Sequence, residues 1–69
     1  MFENATTIIV IRDNERTAFD SWQAAVPNIE IGDVIRAYMP TGTTKCAEAL
    51  PRDNASEGSF TWKAVIRSC

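Results

Sequence analysis

Apolar residues fall into separate runs whose spacing changes along the chain. Thr6-Thr7-Ile8-Ile9-Val10-Ile11-Arg12 is an unbroken β-branched run, which reads as a strand with contacts on both faces and is placed centrally in a sheet. Asp13 and Asn14 offer side-chain oxygens suited to a helix cap. From Glu15 onward Ala18, Phe19, Trp22, Ala25 and Val26 recur along one helical stripe until Pro27, predicting a helix of about 18 Å that must rest on the sheet.

Beyond a connector with an Ile29/Ile31 alternation, Val34-Ile35-Arg36-Ala37-Tyr38-Met39 reads as a second strand. Met39-Pro40-Thr41-Gly42 follows as a turn, because proline presets the backbone and glycine tolerates positive φ. A return strand over Thr43 to Leu50 is expected, although Cys46-Ala47-Glu48-Ala49-Leu50 also suits one helical turn. Pro51 to Ser59 lacks apolar periodicity and reads as an exposed loop. Phe60 to Arg67 alternates, with Phe60, Trp62, Ala64 and Ile66 on one side and Thr61, Lys63, Val65 and Arg67 on the other.

These elements predict a single α+β domain over residues 1–69, ordered β-α-β-β-β: an antiparallel-rich sheet of about four strands with one helix on one face. Seven Ile and four Val against one Leu favour the strands. If Phe60, Trp62 and Ile66 meet Phe19 and Trp22 in the core, the reverse face carries Val34, Arg36, Tyr38, Lys63, Val65 and Arg67. One helix cannot cover both faces, so that reverse face is expected to be bare, half apolar and basic.

Composition narrows the function. With 69 residues, of which 45% are hydrophobic and nine are alanine, the core is small and support from a partner, a second copy or a disulfide is useful. Net charge is −2, which disfavours a general duplex-DNA binder. The charge is segregated: residues 1–33 hold two basic and six acidic residues (−4), the rest five basic and three acidic (+2). The acidic start Met1-Phe2-Glu3-Asn4 and the four-residue run Ile8–Ile11 predict neither a signal peptide nor a membrane span, hence a cytoplasmic protein. Cys46 and Cys69 are accordingly expected as free thiols, with Cys46 partly buried.

The chain has no histidine, Cys-x-x-Cys, Gly-x-Gly-x-x-Gly, P-loop or Gly-x-Ser-x-Gly pattern, so no catalytic residue, metal ligand, cofactor or small-molecule substrate is assigned. Asp53, Asn54, Ser56 and Glu57 lack the spacing of a calcium loop and read as solvated. Trp22 and Trp62 fall on apolar sides and read as core rather than as base-stacking platforms.

Arg36, Tyr38, Lys63 and Arg67 are the candidate binding residues, since cations beside an aromatic on an open sheet can grip an acidic protein surface or phosphates and bases. Their plainer reading is a solvated face of cross-strand pairs, with Arg36 diagonal to Glu48. Glu15, Asp20, Glu30 and Asp33 form an alternative acidic surface directed at a basic groove, against the plainer reading of a solvated helix face. The expectation is a non-enzymatic protein-interaction domain, a small inhibitor or adaptor that docks on a larger protein or on itself. Phage-type inhibitors of host defence offer an analogy of size alone. The alternatives are a single-stranded nucleic-acid binder built as a small partial barrel, and a structural homodimer.

Overall fold

The structure, a computed structural model, describes residues 1–52 and 61–69. Five strands form one antiparallel sheet: β1 (Thr7–Arg12), β2 (Glu15–Phe19), β3 (Val34–Tyr38), β4 (Thr44–Pro51) and β5 (Trp62–Arg67), in the spatial order β2-β1-β3-β4-β5. One short helix, α1 (Trp22–Ala25), continues into a 3₁₀ turn over Val26–Asn28. The α+β class and the helix on one face agree with expectation; the fifth strand is β2.

β2 replaces most of the expected helix. Asp13 and Asn14 do not cap it but turn the chain, with φ of 51° and 68°. Positive φ at both central residues of a two-residue connection matches the right-handed twist of flanking strands, and Asp and Asn tolerate that region better than other non-glycine residues. The chain therefore doubles back, pairing Arg12 with Glu15 and Ile8 with Phe19. The helix starts only after Ser21, whose Oγ accepts from the Ala24 amide at 3.1 Å, and Pro27 lies within the 3₁₀ turn that follows.

β2 and β3 flank β1 and both run antiparallel to it, so they are parallel to each other. The chain between them must cross β1, which lays Trp22, Ala25 and Ile29 over the front of the sheet. There they pack with Phe2, Ala5, Ile8, Val10, Ile35, Ala37, Ala47, Ala49 and Trp62. The small side chains of β3 and β4 leave room for the aromatic rings: Trp22 meets Phe2 edge-on at 5.3 Å and Trp62 at 6.3 Å between centroids.

Two inward expectations need revision. Ile66 shares the front face but is 58% exposed, because α1 packs on β1 and β2, away from the β5 edge. Phe19 is only partly buried against the core, at the strand end beside α1. The inward place of Phe60 and the loop beyond Arg52 lie outside the described residues.

Candidate functional site

Directly paired residues in a sheet share a face. One row across the reverse face runs Ala18, Ile9, Arg36, Cys46, Arg67, and another Thr7, Tyr38, Thr44. On the other side of the first lie Arg16, Ile11, Val34, Glu48, Val65, followed by Leu50 and Lys63. The register thus brings Arg36, Tyr38, Lys63 and Arg67 onto one face, opposite the core. Tyr38 is 37% exposed there, on the face opposite the one that packs Trp22.

This face holds four cations, Arg16, Arg36, Lys63 and Arg67, against the single acid Glu48 among its strand positions. The helical stripe hides Arg16; the signal that places it is Asp13-Asn14 directly after the β-branched run, two residues that tolerate the left-handed backbone of a two-residue hairpin connection. Glu48 pairs with Arg67, whose Nη1 donates to Oε1 at 3.2 Å, rather than with Arg36. Arg36 instead has its Nε buried with no hydrogen-bond partner among the described residues. A desolvated donor without an acceptor is costly to the folded chain.

The thiol expectation is overturned. Cys46 and Cys69 form a disulfide with Cα atoms 5.3 Å apart, and no free cysteine remains. The register explains it: Arg67 lies opposite Cys46, so Cys69, two residues on, is its diagonal neighbour on the same face. The bridge fastens the chain end beside Thr44, with the Cys69 Sγ 4.0 Å from the Thr44 carbonyl oxygen.

The acidic alternative does not form a helix face. Glu15 lies in β2, Asp20 in the bend beyond it, and Glu30 in the connector, all exposed. Asp33 is 1% exposed and cannot serve as surface. It accepts from Arg12 Nε at 2.8 Å and Arg12 Nη2 at 2.7 Å, and from the Glu30 amide at 2.8 Å. Burial pushes the Asp33 carboxyl up, but the Arg12 hydrogen bonds, the Glu30 amide and the Arg12 charge together outweigh it and hold the group below its usual range. Arg12 also donates to the Asn28 carbonyl at 2.7 Å, so the pair pins the crossover to β1. The 21-residue separation of Arg12 and Asp33 carries no sequence signal for this contact.

On the front of the sheet, an open cleft of about 350 Å³ is lined by Met1, Glu3, Trp22, Val26, Trp62 and Ala64. Among the described residues no group of three or more His, Cys, Asp or Glu is placed to hold a metal ion, and no helix is long and apolar enough to cross a membrane. Compared with protein-family models, curated proteins and solved structures, the chain matches none.

Proposed function

We propose that this is a non-enzymatic interaction domain, an inhibitor or adaptor that docks its reverse sheet face on an acidic surface of a larger protein. The observation that carries this reading is the register, which collects Arg16, Arg36, Lys63 and Arg67 on the face away from the core, with Tyr38 at one end of that face next to Arg36. Ile9, Ile11, Val34, Leu50 and Val65 lie among them on the same face, and such a mixture of apolar area and cations suits a protein surface. Tyr38 is the sole aromatic at these strand positions, which argues against a stacking track for successive bases.

A photo-crosslinking side chain in place of Tyr38 tests the reading. It should label a protein with an acidic surface, and labelling should fall when Arg36→Glu and Lys63→Glu are introduced. Unchanged labelling in both charge reversals overturns it. Salt-sensitive binding of a short single-stranded oligonucleotide that is lost in Arg36→Glu would replace it with the nucleic-acid reading.

A cytoplasmic site of action, expected from the chain's first residues, stands against the bridge, because disulfides persist in oxidising compartments. Thiol blocking during extraction from the native source decides between them: trapped free thiols at Cys46 and Cys69 support the cytoplasm.

A further inference from the structure

β5 is an edge strand, bonded to β4 on one side and paired with no described strand on the other. From Lys63 to Arg67 this edge presents N–H and C=O groups with no partner among the described strands, and such a row can be completed by another extended chain. Its two faces differ. Lys63, Val65 and Arg67 point to the reverse face, and Trp62, Ala64 and Ile66 to the front, where Ile66 is 58% exposed. The opposite edge, β2, instead carries Glu15 beside Arg16 and has no comparably exposed large apolar side chain.

We propose that β5 is completed by an extended acidic segment of the partner protein, adding a sixth strand to the sheet. This rests on the acidic-partner reading above and specifies how that partner is gripped. Lys63 and Arg67 are four residues apart, about 13 Å along a strand. The segment therefore carries acids four residues apart on one side, meeting Lys63 and Arg67, and apolar side chains on the other, meeting Ala64 and Ile66. Arg67 already bonds Glu48 through Nη1, and a guanidinium has further donors for a second carboxylate.

Charge also disfavours the self-pairing register centred on Val65. Antiparallel pairing of two β5 strands about Val65 sets Lys63 of one copy opposite Arg67 of the other, twice, and like charges directly opposite destabilise a sheet. The cations that repel another β5 attract an acidic strand.

The test uses the whole domain and the acetylated, amidated peptide Ser-Val-Glu-Val-Thr-Val-Glu-Val-Ser as probe. Binding should slow hydrogen exchange at alternate amides between Lys63 and Arg67. It should weaken on the order of tenfold or more when Lys63→Glu and Arg67→Glu are combined, and return when lysines replace the peptide's glutamates. N-methylation of alternate peptide amides should abolish it. Peptide binding that perturbs Arg36 and Tyr38 without protecting β5 overturns edge pairing and leaves the open-face reading standing. Absence of binding at millimolar peptide, or dimerisation of the domain through β5, overturns edge pairing as well; the open-face reading then stands or falls on the Tyr38 crosslink.

Discussion

Arg12 grips Asp33 through two hydrogen bonds of 2.8 and 2.7 Å, joining the end of β1 to the residue that precedes β3. The carboxylate also accepts from the Glu30 amide, while its own backbone carbonyl accepts from the Ala49 amide at 2.9 Å. One buried acid therefore fastens the crossover to two strands.

Stability should fall with acid through this group. The folded Asp33 carboxyl titrates below its ordinary value, so its contribution is fully present above the unfolded value near about 4 and is lost as pH falls through the folded one. Asp33→Ala should cost about 1–3 kcal/mol by removing the acceptor of the Arg12 and Glu30 hydrogen bonds. It should also flatten the acid limb in urea melts recorded between pH 6 and pH 2. An unchanged acid limb would show that other carboxylates govern acid unfolding.

The bridge between Cys46 and Cys69 spans a sequence separation of 23. Closing a loop of that length restricts the unfolded chain by about 3 kcal/mol, a large share of the stability of so small a domain. Thiol titration of the unreduced, unfolded protein should count no free thiol and, following reduction, two. Reduction should lower the thermal midpoint by more than about 10 °C. Equal midpoints before and after reduction would show that the tether adds nothing.

The edges of the sheet show what sequence patterns could and could not convey. β3 and the turn after it are legible because Ile35 and Ala37 alternate with Arg36 and Tyr38, and because Pro40 and Gly42 suit a turn, whereas residues 46–50 suit a helical turn as well as the strand β4 to which they belong. The grouping of Arg36, Tyr38, Lys63 and Arg67 followed from that same parity. β2 is not legible, because Ala18, Phe19, Trp22 and Ala25 satisfy a helical stripe equally well and only the left-handed backbone at Asp13 and Asn14 decides for a strand. Asp33 and the bridge depend on contacts between distant segments, which no local periodicity encodes.

That turn has its own consequence. Alanine at Asn14 would occupy a left-handed conformation without a side chain able to offset it, so Asn14→Ala should destabilise by about 1 kcal/mol, and Asn14→Gly should be neutral or stabilising. Were Asn14 instead the cap of a helix running from Glu15, Asn14→Gly should lose a few tenths of a kcal/mol rather than gain stability. Denaturation midpoints of the two variants separate the hairpin from the helix.

Arg36 ties stability to function. It sits between Ile9 and Cys46 on the reverse face, half-buried, with Nε hidden from water and no acceptor among the described residues. Replacing such a donor by an apolar side chain of similar length removes a desolvation cost while keeping the contacts of the stem. Arg36→Met should therefore raise the unfolding free energy, by about 1 kcal/mol, yet weaken capture of the acidic partner. Stabilising changes at binding sites commonly carry that penalty. The comparison needs only a urea melt and a crosslinking yield at Tyr38 measured on the same two proteins. If Arg36→Met loses stability, the guanidinium is held by contacts that matter to the fold, and Arg36 is a structural residue rather than a waiting ligand for a carboxylate.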